Sequence, residues 1–333
     1  MLKQRILTAF VLLIVFGAAL YLPTPIPFMA LTLLLIGAAG WEWARLAGRQ
    51  GWKALGSGVY CAALALLLWW WVSSGWYESS NQGDGALILG IFIVIWFGYG
   101  ALFLYIGLLL GWYFWMGHWP DNSYKELLLW CFASLYWISG GGMLLSRGVA
   151  QRKRLTNSDL FVGYGALVVA WLALVQAYTH GINFLLSTLA LVWAADIAAY
   201  FVGRALGGKL TGGRKLAPTI SPGKSWEGAV GGFIGVLLTG AIWIWVDRAY
   251  ALPPGLYTIF WQRGPVWFVG ALALLTAMSV VGDLVESLVK RSAGVKDSSR
   301  LLPGHGGVLD RIDALLPTLP LALLLVTIGQ ELK

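Results

Sequence analysis

The sequence predicts an all-α, polytopic integral membrane protein. Two observations carry that prediction: the chain is 59% hydrophobic with only 11% charged residues, and its apolar residues fall in long uninterrupted runs. A soluble domain is about 45–50% apolar and about 25% charged, so this composition has too few charges to coat a globule of 333 residues. Runs of this length face lipid. The same arithmetic excludes a secreted globule, a disordered chain and a soluble nucleic-acid binder, so no nucleic-acid partner is expected. The net charge of +8 then reads as membrane-side asymmetry, because Lys and Arg concentrate in cytoplasmic loops. Cys61 and Cys131 both lie inside apolar runs, which leaves neither a disulfide framework nor a thiolate metal site.

The first run, 6–22, follows Lys3 and Arg5 as a signal peptide would, but it ends in Pro23-Thr24-Pro25-Ile26-Pro27 with a second run directly behind it. That marks a retained helix. Further runs cover 28–43, 55–72, 86–116, 127–145, 160–177, 182–202, 229–246, 266–284 and 314–328. The run 86–116 would span roughly 46 Å as one helix, against a hydrocarbon core near 30 Å, so it crosses twice or re-enters. About nine to eleven spans are therefore expected. Lys3 and Arg5, Arg45, Arg49 and Lys53, and the Arg152-Lys153-Arg154 cluster are assigned to the cytoplasm, and the base-free stretch 78–84 to the outside. Parity then puts 204–225 and 286–312 in the cytoplasm, and those two segments hold most of the chemistry. In the N-terminal half the notable ionisable residue is Glu42, between Trp41 and Trp43; an interfacial ion pair with Arg45 is favoured over a catalytic role.

Between Arg204 and Lys224 the chain places Arg204, Lys209, Arg214, Lys215 and Lys224 without an acidic residue, interleaved with Gly207, Gly208, Gly212 and Gly213. Glycine lets backbone amides approach phosphate oxygens, the bases neutralise charge, and Ser221-Pro222-Gly223-Lys224-Ser225 leads into a helix whose N-terminus favours anions. A loop that only fixes topology explains the charges equally well. The segment has neither the lysine placement of a Walker A motif nor a preceding strand, which argues against a P-loop ATPase.

The decisive segment is 282–313. Asp283 closes one apolar run, while Asp310 and Asp313 open the next, so carboxylates from two helices meet the membrane boundary. An aspartate at that depth is costly unless it is paired or binds a cation. Asp283, Glu286 and Ser287 share a helical face, as do Asp310 and Asp313. Two such faces can converge on Mg²⁺, which takes one or two carboxylates plus substrate phosphates, and a second cation is possible in a phosphoryl clamp. Asp283, Asp310 and Asp313 are the candidate metal ligands. Lys290 and Arg291 are placed to neutralise phosphates, and Ser287 to order substrate or a metal-bound water, since no histidine lies near it in sequence. Lys215, Ser221, Lys224, Lys296, His305 and Arg311 are the candidate substrate-binding residues. For His305 a phosphate hydrogen bond or loop-ordering role outranks general-base work, because a phosphate nucleophile is already ionised at neutral pH. The competing reading of the acids is an ion-pair network with the same bases; it does not account for Pro303-Gly304-His305-Gly306-Gly307, read as a flexible loop between the acidic faces.

Ser287-Leu288-Val289-Lys290-Arg291, Lys296-Asp297, Pro303-Gly304-His305-Gly306-Gly307 and Asp310-Arg311-Ile312-Asp313 together resemble the C-terminal signature of the phosphatidate cytidylyltransferases, or CDP-diacylglycerol synthases. A second block is similar to the same family: Trp193-Ala194-Ala195-Asp196 through Tyr200 to Arg204, then Lys215-Leu216-Ala217-Pro218 through Ser221, Pro222, Lys224 and Ser225 to Glu227-Gly228. The likeness covers about 159–324 well and the first 75 residues loosely; the middle, 86–150, departs from it. The resemblance implies a helical enzyme that joins phosphatidic acid and CTP to give CDP-diacylglycerol and pyrophosphate, requires Mg²⁺, works as a homodimer among membrane lipids and feeds phospholipid synthesis. On that reading 1–150 supplies lipid-facing helices and dimer contacts. Residues 151–333 form the catalytic region, with loops 204–225 and 285–313 facing the cytoplasm of a bacterial inner membrane. Against it stand a CTP-dependent lipid kinase, which would attack the γ-phosphate, and an ion-coupled transporter, which would place its acids near the midplane. A CDP-alcohol phosphotransferase would need an Asp-Gly motif that Asp84-Gly85 begins and does not complete.

Overall fold

The computed structural model describes residues 2–73, 123–148 and 155–331. The run 86–116, the outward stretch 78–84, His118 and the Arg152–Arg154 cluster lie outside the described residues. What is described is a bundle of helices: α1 (Leu2–Tyr21), α2 (Ile26–Leu46), α3 (Gly51–Ser73), α4 (Ser123–Tyr136), α5 (Gly142–Arg147), α6 (Asn157–Thr179), α7 (Ile182–Leu206), α8 (Trp226–Ala249), α9 (Leu256–Trp261), α10 (Pro265–Ser292), α11 (Leu309–Ile312) and α12 (Leu315–Glu331). A π-helical turn, Trp137–Gly141, joins α4 to α5. Eight helices among the described residues are long and apolar enough to cross a membrane, and Leu7–Tyr21 is a shorter apolar helix. The chain is an integral membrane protein.

The all-α expectation has one local exception. Lys215–Ala217 (β1) and Ser221–Ser225 (β2) pair antiparallel, Lys215 opposite Ser225 and Ala217 opposite Ser221. Pro218 and Pro222 broke the alternation that marks a strand in sequence. The hairpin ends directly on α8, whose first turn is capped by Ser225 Oγ accepting from the Gly228 amide at 3.1 Å.

At the centre stands α6, which begins in a capping box: the Asp159 amide donates to Thr156 Oγ1, and the Thr156 amide donates to Asp159 Oδ2 at 2.8 Å. Its Trp171 is fully buried and donates from Nε1 to Thr32 Oγ1 on α2 at 3.1 Å, while Phe28 stacks on Tyr178 with ring centres 4.6 Å apart. With 78% of its apolar window enclosed against 28% for α8, α6 is core and α8 is largely boundary. The approach of α7 to α8 depends on small residues. A Cβ on Gly228 would lie 3.0 Å from the Ala199 carbonyl oxygen, and one on Gly232 2.9 Å from that of Ala195. The ends of α2, α7 and α10, the hairpin and the start of α11 share one face of the bundle, joined by the contacts described next.

Candidate active site

On that face α7, α8, α10 and β2 enclose a cavity of about 430 Å³. Its walls are Ala195, Ala199, Gly203, Gly228, Gly232 and Val280, and its polar groups include Asp196, Arg204, Lys224 and Asp283. The hairpin turns Lys224 back onto α10, where Nζ meets Asp283 Oδ2 at 2.6 Å. One helical turn further on, Ser287 Oγ donates to Asp283 Oδ1 at 3.3 Å. Asp313 enters from the junction of α11 and α12, and Asp196, Asp283 and Asp313 interact electrostatically. Gly282 is what lets the second helix so close: a Cβ there would meet Pro317 Cδ at 2.9 Å and the Asp313 carbonyl closer still.

The other sequence candidates form a second group beside the first. Lys290, 9% exposed, is ion-paired to Glu286 on its own helix and to Asp310 Oδ1 at 2.6 Å. Asp310 also accepts from the Ser298 amide at 3.1 Å, the Ser298 hydroxyl at 3.0 Å and the Gly307 amide at 2.7 Å. Lys290 takes Oδ1 and the two amides reach Oδ2, while the one Ser298 hydroxyl proton is shared between Asp310 and Glu42, so both oxygens of Asp310 are occupied. Glu286 lines a separate small cavity with Trp43, Tyr136 and Trp137. The face expected to carry Asp283, Glu286 and Ser287 therefore divides: Asp283, bonded by Ser287, lines one cavity and Glu286 another.

The loop 303–307, expected to be flexible, is pinned. Glu42 is fully buried and accepts from four donors of this region: Ser298 Oγ at 3.1 Å, Ser299 Oγ at 2.5 Å, the Val308 amide at 3.0 Å and the Leu309 amide at 2.7 Å. The expected pair with Arg45 is not formed; Arg45 stacks on Trp41, 4.7 Å from the ring centre. Gly306 and Gly307 make the approach possible. A Cβ on Gly306, at φ +85°, would lie 2.7 Å from Asp310 Oδ2, and one on Gly307 2.5 Å from Glu42 Oε1. Arg311 Nε donates to the His305 carbonyl at 2.9 Å, and Thr8 Oγ1 on α1 to the Pro303 carbonyl at 3.0 Å. His305 is half-buried, its Nδ1 unpartnered among the described residues.

Arg291 is exposed and donates to the Val295 carbonyl at 3.2 Å, closing the end of α10. Lys215 and Ser221 sit on the hairpin outside the cavity lining, and Lys296 lines a different groove. Two residues carry more than their sequence reading gave them. Asp196 was quoted in a motif without a role; the signal available was an acid within an apolar run. Glu227, 5% exposed, accepts from the Leu210 and Thr211 amides at 3.2 and 2.9 Å and from the Thr211 hydroxyl at 2.8 Å, folding the glycine-rich turn back against α8.

Two carboxylates face the main cavity, Asp196 and Asp283, with Asp313 adding negative charge beside them; carboxylate oxygens suit a hard divalent cation. No three His, Cys, Asp or Glu side chains among the described residues close into a ligand set. An ion held here would need substrate phosphate oxygens in its shell beside the two cavity carboxylates.

Residues 3–328 match the model of the Cytidylyltransferase family. The chain is 35% identical to a phosphatidate cytidylyltransferase of Haemophilus influenzae, covering 96% of each sequence. It is 35% identical to that of Pseudomonas aeruginosa over 96% of this chain and 95% of the relative, and 43% identical to that of Brucella suis over 51% and 56%. A match over nearly the whole length, with the cavity built from the segments that carry the motifs, makes this chain a member of the cytidylyltransferase family and hence a nucleotidyltransferase.

Proposed function

We propose that the chain transfers CMP from CTP to phosphatidic acid, giving CDP-diacylglycerol and pyrophosphate. The observation that carries this reading is the cavity between α7, α8 and α10: small apolar walls within membrane-spanning helices, and at one end Lys224 on Asp283 with Asp196 and Arg204 beside them. A lipid phosphate enters such a cavity with its acyl chains along the helices and its charge at the bases. The relatives' names give phosphatidate as the acceptor and a cytidylyl group as what is transferred, which supports the reading.

An oxygen of the lipid phosphate attacks the α-phosphorus of CTP; the new P–O bond forms as the bond to the bridging α–β oxygen breaks, and pyrophosphate leaves. The nucleophile is already ionised, so no protein base is required. Lys224 and Arg204 hold the lipid phosphate, and Asp283 and Asp196, which line the cavity, would hold Mg²⁺ together with substrate phosphate oxygens, with Asp313 adding negative charge beside them. Bound there, Mg²⁺ supplies charge neutralisation to the phosphoryl oxygens. Ser287 orients Asp283. Lys290 and Asp310 keep the 298–307 loop in place, so Asp310 positions the site through the loop and its ligand role passes to Asp196. Positioning and electrostatics carry the rate. The site opens to the cytoplasm of a bacterial inner membrane, and the active assembly is a homodimer.

Membranes containing the chain, supplied with phosphatidic acid and each of the four NTPs in turn, test the reaction. The expected outcome is incorporation of α-labelled CTP into lipid with release of pyrophosphate. Transfer of the γ-label with release of CDP would mean a kinase, and no nucleotide turnover a transporter.

A further inference from the structure

We propose that a second groove, on the far side of the 296–300 loop, is a separate binding site for a phosphate-bearing anion. It lies between the end of α2 and the segment following α10, encloses about 950 Å³ and is lined by Arg45, Arg49, Lys296 and Arg300 against the single carboxylate of Asp297. None of the four bases forms an ion pair among the described residues. Two of the arginines have neutral partners: Arg45, in the last turn of α2, stacks on Trp41, and Arg49, in the turn between α2 and α3, donates to Ser57 Oγ at 3.5 Å and Asn157 Oδ1 at 3.4 Å. Four cations facing one carboxylate leave a surplus of positive charge that attracts an anion, and guanidinium forks suit phosphate oxygens.

Depth favours the same ligand. The groove sits where α2 and α10 end, at the boundary of two membrane-spanning helices, and Trp52 (85% exposed), Leu301 (47%) and Val295 (41%) stand in or beside it in the chain. The loop also ties the groove to the rest of the molecule. Ser298 and Ser299 line it and hold Glu42, and Ser298 holds Asp310. An anion bridging Arg45 on α2 and Arg300 on the loop reinforces that clasp. Phosphate of this kind comes from an acidic lipid headgroup or from a soluble polyphosphate, and the experiment separates the two.

The full chain is purified in neutral detergent and its Tm read with dihexanoyl phosphatidylglycerol, with inorganic pyrophosphate, and with dihexanoyl phosphatidylcholine as the net-neutral control. At least one anionic probe should raise Tm by about 2–4 °C when well above its Kd, and the control should not. Arg45→Gln/Arg300→Gln should shift the half-maximal concentration of that probe at least tenfold, whereas Lys224→Gln, in the other cavity, should leave the response in place. A response to phosphatidylglycerol alone assigns a headgroup, and to pyrophosphate alone a soluble polyphosphate. Arg300→Gln alone, at an exposed loop position, serves if the double variant folds poorly. No shift with either anionic probe, or wild-type responses in the arginine variants, overturns the proposal. Because no turnover is read, the result stands apart from the reaction assigned above.

Discussion

Asp247 and Asp283 lie near opposite ends of the bundle, separated by the length of α8, roughly 35 Å, and their surroundings differ in kind. Asp247, 4% exposed, accepts from Asn183 Nδ2 at 2.8 Å, the Gly255 amide at 2.9 Å and the Thr258 hydroxyl at 2.6 Å. Neutral donors supply it, and through them it ties α8 to α7 and α9. Asp283 has one cation and one hydroxyl, lines a cavity, and interacts with two further acids. Both are carboxylates where an apolar run ends. What separates an architectural acid from a chemical one is the supply of neutral donors, and that is decided by residues distant in sequence.

Substitutions sharpen the contrast. Asp283→Asn keeps the size and removes the charge, so CDP-diacylglycerol formation should fall by about a thousandfold with Tm little changed, given the several kcal/mol that metal and charge stabilisation contribute; near-normal Mg²⁺-dependent turnover in folded enzyme would return Asp283 to the same class as Asp247. Asp247→Ala should do the reverse. It leaves three donors unpaired and should lower stability by about 3 kcal/mol, visible as a drop in Tm, with kcat/KM of the folded fraction unchanged; a specific kinetic defect would break the distinction. Lys224→Ala removes the cation facing Asp283 and should reduce kcat/KM tenfold or more, about 1.5–3 kcal/mol, while wild-type kinetics would leave the hairpin a topology signal. Glu42→Gln is expected to have the smallest effect on turnover, lowering stability by about 1–3 kcal/mol as the oxygen replaced by the amide nitrogen stops accepting from two of the four donors, with a modest fall in kcat at constant KM for CTP. A change in KM alone would place Glu42 on substrate instead of on the loop.

Much of the bundle is legible in the sequence, since a run of apolar residues long enough to cross a membrane has few alternatives. The hairpin is not, because 215–225 carries two prolines and five polar residues in place of an alternating pattern, and what holds it is contact with distant α10: Ile220 buried with Leu284 and Leu288, and Lys224 on Asp283. The acids of 283–313 stand out by their depth, and Ser287 with Asp283 follows from helical spacing. Glu42 misleads for a physical reason: Arg45 is three residues away, so a local pair competes with partners that sequence spacing cannot see. Asp310 looks equivalent to Asp283 until its donors are known. Those donors are the amides and hydroxyl of a loop whose course depends on Gly306 and Gly307.

The clasp around Glu42 sets an order on biogenesis. Its nearest partner in the chain, Ser298, is 256 residues downstream, and the Leu309 amide is 267. At about 5–20 residues per second, α2 is in place for roughly 10–50 s before the ribosome supplies the groups that close around it. Through that interval the carboxylate is hydrated at the membrane surface, and the segment that will carry Asp310 does not yet exist. Catalytic competence therefore arrives with the last helices to be inserted, and a chain stalled or cleaved before them lacks both the clasp on Glu42 and the buried helix, α12, that packs against α4 and α6.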